Sequence, residues 1–363
     1  MGAEEKFVSS TDDVEVVSTG IEEARAAGWD DYVSRHPDGT GYHYLAWLQS
    51  ISEAYGHRPW CLVALSPGGD LAGVLPLCEF RIPLLGAHWV SLPFCDLGGP
   101  LASSHKAAAA LREKAVELTR QRGGKGINLR LPGEPVDDQE EKTLAKVSMI
   151  CALPESSDAL FKSYKPKLRS QIRKAEKNGL RGEVTSRIDA IDAFYRVFSV
   201  NMHRLGSPVH SLGWFQSLQR SYGERMQTGL VWHGETVVGA GIVLINGTRA
   251  SIPWASTLAE FNRLAPNMLL YWTLLAHVTD GGCHTFDFGR STPGEGTYRF
   301  KKQWGAEPHA LNWLDLKPDG EPEPARKSQQ TGGLRNLLEA TWRRLPLPVA
   351  NLIGPGVRKY VSL

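Results

Sequence analysis

The residues best equipped for chemistry lie in one late stretch, TFDFGRSTPGEGTYRFKKQWGAEP, residues 285–308. An alternating strand sends Phe286 and Phe288 to one face and Asp287 to the other. Gly289 lets the chain turn, and Arg290, Ser291 and Thr292 emerge at the strand's C-terminal end, where α/β units place ligands. After Gly294 and Gly296, residues Tyr298, Arg299, Lys301 and Lys302 interleave charge with aromatic rings in a way that a core strand does not need. A structural hairpin is the plainer alternative. On an extended segment Lys301 and Lys302 point to opposite faces, so they compete for one role.

A second stretch, FKSYKPKLRSQIRKAEKNGLR (161–181), carries eight basic residues against one acid, Glu176. Pro166 suits a first helical turn and Gly179 a left-handed C′ position, which predicts a helix of about three turns. Arg169, Arg173 and Lys177 then share one face, while Leu168, Ile172 and Ala175 point toward a core. Such a row of cations suits a phosphate-bearing ligand, although a merely solvated face has the same composition. A third cluster, NMHRLGSPVHS (201–211), gathers His203, Arg204 and His210 around a Gly-Ser-Pro turn, where they are expected to line the cleft. Its spacing matches no zinc motif and no carboxylate accompanies it, so no metal is expected. In TGYHYLAWLQSISEAYG (40–56), Tyr42, Tyr44 and Trp47 open a predicted helix and read chiefly as core.

The elements that must position these groups recur. CLVALSPGGDLAGVLPLC (61–78) and TGLVWHGETVVGAGIVLI (228–245) each read as two apolar strands around a short turn, with Gly73 or Gly239 on the returning strand. A further strand follows each hairpin, LGAHWVSLPF (85–94) or GTRASIPWAS (247–256). A helix comes next, over 107–124 or 267–282, closed by a Gly pair. Last comes a short strand, GINLRL or HTFDFG. Two α/β units of one kind in tandem are the reading: 1–150, then 151–320 with the main site. The acidic stretch 131–146 reads as an exposed loop between them. Residues 321–363 read as a connection, GEPEPARKSQQTGG, followed by an amphipathic helix around Leu334 to Arg344.

Length and composition agree with two globular domains. The 363 residues are 42% hydrophobic and 22% charged, which excludes collagen-like and wholly disordered classes. Lys plus Arg at 41 against Asp plus Glu at 39 leaves +2, too little for a protein that coats nucleic acid. Five cysteines without a C-x-x-C pair predict reduced, buried thiols. No apolar run is long enough to span a membrane and no secretory signal is visible, so a cytoplasmic protein is expected.

K-x-R-x-x-I-R-K-A in the basic stretch, N-M-L-L-Y-W at 267–272, and F-D-F-G-R-S-T followed by G-T-Y-R-F-K-K-Q-W-G-A together resemble the FemAB-related proteins of the GNAT superfamily. The likeness is greatest to the subgroup associated with exosortase (PEP-CTERM) and exopolysaccharide systems, and it covers roughly 40–316. It implies an α/β (α+β) architecture of two tandem GNAT-like, acyl-CoA N-acyltransferase folds with a C-terminal helix, in agreement with the repeat. It also implies an acyltransferase. Fem-type members move an amino acid from aminoacyl-tRNA to an amine on a peptidoglycan precursor, whereas other relatives use acyl-CoA. The family's late Phe-Lys matches Phe300-Lys301, and in Fem-type enzymes that lysine is implicated in transfer.

On that resemblance an amine attacks an activated carbonyl, and Lys301, with Lys302 as competitor, stabilises the oxyanion at about 3 to 4 kcal/mol. Asp287 takes the amine's proton if it faces the cleft. Arg290, Arg169 and Arg173 hold phosphate groups, and Ser291, Thr292, Tyr298, His203 and Arg204 complete the binding surface. No cofactor is expected beyond the donor substrate, aminoacyl-tRNA or acyl-CoA. The acceptor is a small-molecule or lipid-linked amine, with peripheral contact to envelope precursors. Acyl-CoA enzymes of the superfamily bind pyrophosphate in a Q/R-x-x-G-x-G/A loop. The matching stretch, Arg263 to Met268, has Pro266 in place of an N–H, which disfavours acetyl-CoA there. CDLGGPL (95–101), with Gly98 and Gly99, offers a weaker anion loop. Two alternatives remain: an acyl-CoA-dependent N-acyltransferase, and a catalytically silent module that binds anionic ligands through the 161–181 helix.

Overall fold

In the computed structural model, which describes residues 14–82, 86–137, 139–323 and 332–362, the two predicted hairpins head two parallel series of elements. The first series runs β1 (Glu15–Thr19), α1 (Ile21–Ala26), α2 (Trp29–Arg35), α3 (Leu45–Tyr55), β2 (Arg58–Leu65), β3 (Leu71–Ile82), β4 (Gly86–Val90), β5 (Leu101–Ala102), α4 (His105–Gln121) and β6 (Ile127–Pro135). After β7 (Val147–Ala152), α5 (Ser157–Ser163) and α6 (Pro166–Lys177), the order recurs. Its members are β8 (Leu180–Thr185), α7 (Ala190–Leu205), α8 (Leu212–Tyr222), β9 (Met226–His233), β10 (Thr236–Asn246), β11 (Arg249–Thr257), α9 (Pro266–Asp280) and β12 (Thr285–Ser291). The chain closes with α10 (Gly296–Lys302), β13 (Glu307–Leu316), α11 (Gly332–Arg344) and α12 (Leu347–Arg358).

All the strands join one sheet, in the order β1-β2-β3-β4-β6-β13-β7-β12-β11-β10-β9-β8, with β5 on β3. Each half has four antiparallel strands ending in a parallel neighbour, β4 with β6 and β11 with β12, each pair connected through a helix. The parallel registers are short: Trp89 and Val90 face Ile127 and Asn128, and Arg249 to Ser251 face Thr285 to Asp287. Beyond them the strands part. β13 belongs in sequence to the second half but is zipped antiparallel between β6 and β7. The architecture is thus α/β with two GNAT-type units merged edge to edge.

The helix ends follow their local chemistry. Gly123 and Gly282 adopt positive φ just after α4 and α9, and Gly179 does so after α6. Pro266 and Pro166 sit in first turns. On α6, Leu168, Ile172 and Ala175 are buried as their spacing requires. The halves are also joined by a shared aromatic core in which Trp47 of α3 stacks on Trp254 at 5.8 Å and meets Trp214 of α8 edge-on at 5.2 Å. Trp47 is fully buried, and its replacement by Ala is expected to cost about 3–5 kcal/mol.

Several expectations need correction. The stretch 131–146 is not loop throughout: β6 continues to Pro135 because β13 supplies its partner, with Leu311 opposite Pro132 and His309 opposite Pro135. Residues 298–302 are helical rather than extended. The expected final helix is α11, but α12 follows it unannounced, because Gly354, Pro355 and Gly356 look like helix breakers. Most of the connection GEPEPARKSQQTGG and the acidic N-terminus lie outside the described residues. The five cysteines are buried and unpaired. Among the described residues no helix is long and apolar enough to cross a membrane.

Candidate active site

The parting of β11 from β12 opens a cleft of about 410 Å³. Its walls are Ile252 to Ser256 on one side and Phe288 to Arg290 on the other, with Tyr271 of α9 also lining it. A bulge between Asp287 and Arg290 shapes the second wall. Gly289 there has φ +71°, a backbone state that side chains disfavour. Asp287 fixes the bulge: its Oδ1 accepts from the Gly289 N–H at 2.7 Å and from the Ser148 hydroxyl at 2.9 Å.

That bulge turns two carbonyls toward α10. Lys301 is only 8% exposed, and its Nζ donates to the oxygens of Gly289 and Arg290, both at 2.9 Å. An ammonium has three N–H donors, so one remains for a ligand. Burial pulls the Lys301 pKa down to about 8, with the Asp287 and Asp96 carboxylates resisting the fall. Burial also raises the Asp287 pKa, against its two hydrogen bonds.

Most of the lining comes from the second unit, and the first half supplies part of the rim. Tyr42, Phe94, Cys95 and Asp96 line it, and α12 adds Arg358 from the far end of the chain. Asp96 accepts from the Arg290 N–H at 3.1 Å and lies 3.5 Å from the Arg290 guanidinium. Arg290 also stands over the Trp313 ring at 5.3 Å. The segment 95–101 therefore presents a carboxylate to a cation and is not an anion loop. Phe94 holds φ +69°, strained for a side chain, while the Ser362 carbonyl accepts its N–H at 2.7 Å.

Of the residues singled out from sequence, Lys301 and Arg290 line this cleft and Asp287 stands directly behind its wall. Most of the others are elsewhere. Lys302, about 100° round the helix from Lys301, bonds the Tyr298 hydroxyl at 3.2 Å, and Tyr298 in turn donates to Glu141 at 2.6 Å. Ser291 is buried within β12, and Thr292 accepts from the Lys146 ammonium. His203 contacts the Leu345 carbonyl at 2.8 Å, and Arg204 donates to Asn201 at 2.9 Å. Arg169 and Arg173 line a different, more exposed concavity along α6. His210 reaches the cleft as expected, Tyr42 lines it, and Tyr44 and Trp47 are core. Sequence reasoning missed Asp96, which sits in a Gly-rich stretch read as a weaker anion loop, and Arg358, concealed by the Gly-Pro-Gly beside it.

The loop before α9 leaves little for a pyrophosphate. Ala265 has φ +64° and its N–H bonds the Asn262 carbonyl, Pro266 has no N–H, and the Met268 N–H bonds back to Ala265. In that first turn Asn267 keeps the one N–H without a backbone acceptor among the described residues.

Residues 162–302 match the family model of the acetyltransferase (GNAT) domain. No curated protein matches the chain. Among solved structures, FemX superposes with a TM-score of 0.65 at 17% identity, covering 83% of this chain and 96% of its own. L-PGS from Bacillus licheniformis gives 0.53 at 12% identity, over 94% and 97% of the two chains. A tandem GNAT protein from the clavulanic acid biosynthesis pathway gives 0.52 at 12% identity, over 86% and 100%. At these identities the likeness is one of fold. The domain match and the doubled fold define the class: an acyltransferase built on tandem GNAT units.

Proposed function

We propose that the chain transfers an aminoacyl group from aminoacyl-tRNA to an amine acceptor of cell-envelope or exopolysaccharide metabolism. The observation that carries this reading is the buried ammonium of Lys301, anchored on two carbonyls at the floor of the strand splay with one donor to spare. The acceptor nitrogen attacks the ester carbonyl, a C–N bond forms, and the bond to the ribose oxygen breaks. The amine's proton ends on that oxygen. Lys301 faces the oxygen that becomes negative, and a fixed donor there contributes about 3–4 kcal/mol. Asp287 holds the bulge that aims Lys301. With its Oδ1 taken by Ser148 and Gly289, it is a positioning residue.

Two features favour tRNA over acyl-CoA as donor. The turn before α9 lacks successive free N–H groups for a pyrophosphate. Beside it, the Asn178 side chain donates to the Leu264 carbonyl at 3.3 Å, which brings the C-terminal end of the basic helix α6 next to that turn. The envelope acceptor rests on the Fem-type resemblance of Phe300-Lys301, and FemX is a parallel in fold.

The test pairs donor and residue. Purified protein is incubated with an amine-bearing envelope precursor and either aminoacyl-tRNA or acetyl-CoA, with product followed by mass spectrometry. Product is expected from aminoacyl-tRNA, and Lys301→Ala should lower turnover about a hundredfold with the melting temperature nearly unchanged. Full activity in Lys301→Ala overturns the role of the lysine. Product from acetyl-CoA alone overturns the donor.

A further inference from the structure

Opposite Lys301 the cleft has a polar group that this chemistry leaves idle. His210 is 1% exposed, and its imidazole is stacked on Trp214 with Phe94, Phe215 and Trp254 against its edges or faces. Its Nδ1 lies 2.7 Å from the Tyr55 hydroxyl, whose oxygen also accepts the Ser211 N–H at 3.3 Å. The Tyr55 proton must find an acceptor, and Nδ1 is the one in reach. The imidazole proton is then on Nε2, and Nε2 is buried without a partner. Burial keeps this histidine neutral, its pKa well below the ordinary value, and the charge of Arg358 adds to the effect. A buried N–H without an acceptor costs about 1–3 kcal/mol, so its survival at a cleft marks a place for one.

Arg358 supplies the complement. Its guanidinium stands over Phe94 at 5.6 Å, the ring that His210 meets at 5.0 Å, and both residues line the cleft. One Arg358 N–H donates to the Val361 carbonyl at 2.6 Å, and among the described residues the charged or titratable groups that act on it are Tyr55 and Arg290, not a carboxylate. A neutral donor and an uncompensated cation beside one aromatic ring suit an anionic oxygen group.

We propose that His210 and Arg358 form an anion subsite in the cleft, where Nε2–H and the guanidinium receive a carboxylate or phosphoryl oxygen of the bound substrate. The subsite rests on the cleft being the substrate site, not on the role of Lys301 or the identity of the donor. Tyr55 acts as a positioning residue, because it sets which nitrogen carries the proton.

The test uses the full chain with ¹⁵N-labelled histidine and two probes, sodium acetate and inorganic phosphate. In the free protein His210 should show the neutral Nε2–H tautomer. Acetate or phosphate should shift the Nε2 signal saturably, and the probe that saturates first tells carboxylate from phosphoryl. Arg358→Met should weaken that binding about tenfold or more. If this variant loses its melting transition, Tyr55→Phe serves instead: it should mix the tautomers and weaken binding about threefold, a response that loss of packing alone does not give. A proton found on Nδ1, no response to either probe, or full binding in both variants overturns the subsite. Lys301→Ala separates the two proposals: it should lower transfer about a hundredfold and leave the His210 response intact.

Discussion

The two halves repeat the same splay and use it in different ways. In the second, β11 and β12 part around an open cleft, and Lys301 and Arg290 keep donors free for a ligand. In the first, β4 and β6 part beside Arg130, which is 2% exposed and has most of its donors taken, and the concavity of about 390 Å³ left along these strands is lined by Arg130 with Trp89, Asn128 and Trp313. The Arg130 Nε bonds Asn128, and its terminal nitrogens bond the carbonyls of Leu92, Cys95 and Ser362. The chain's own end lies across this site, with the Lys359 carbonyl on His57 at 2.7 Å and the Ser362 carbonyl on the Phe94 N–H. A buried cation bonded to a loop and to the chain's end holds them in place, whereas one with a donor left over can hold a substrate. The first half also delivers Phe94 and Asp96 to the second half's cleft.

That contrast can be broken at several points. The largest effect is expected from Arg130→Met, which leaves several buried carbonyls without donors and should cost about 2–4 kcal/mol, read by urea denaturation. An unchanged midpoint would mean that the first splay is not held by this residue. Next is the pH dependence of turnover. On the proposed role Lys301 must be charged to stabilise an oxyanion, and its pKa is lowered to about 8, so its contribution to turnover is full below that value and is lost above it. Lys301→Arg should move the alkaline limb upward by more than about two pH units, because a guanidinium stays charged. A limb at the same pH in that variant assigns the titration to another group. The smallest effect is expected from removing residues 359–363. Losing the Ser362 acceptor should cost about 1 kcal/mol and loosen Phe94, read as a slightly lower melting temperature with faster amide exchange at 92–96. No change in exchange would show that the tail does not hold the strained residue.

The hairpins, the helices before and after them, the basic helix and the tandem plan were legible in the sequence because each is written in local terms: alternation, a closing Gly, a Pro in the first turn. Arg290 and Asp287 were singled out by the alternation of one strand, and Lys301 by the resemblance of Phe300-Lys301, while the helix that carries it was read as extended. What the sequence concealed is non-local. Nothing near Pro132 says that Leu311 will pair with it, so part of β6 read as loop. Asp96 and Arg358 meet the cleft only because the halves dock and α12 returns across them. Arg169, Arg173, His203 and Arg204 carry the right chemistry on faces that turn elsewhere, which composition cannot report.

The placement of β13 between β6 and β7 has a mechanical consequence. Backbone hydrogen bonds run unbroken from one GNAT unit to the other, so there is no hinge about which the halves could swing apart to admit a bulky substrate. The rim of the cleft outside the ladder is made by the 92–96 loop and by α12. A chain cut before β13 would bare the edge of β6 and invite pairing with a neighbouring molecule.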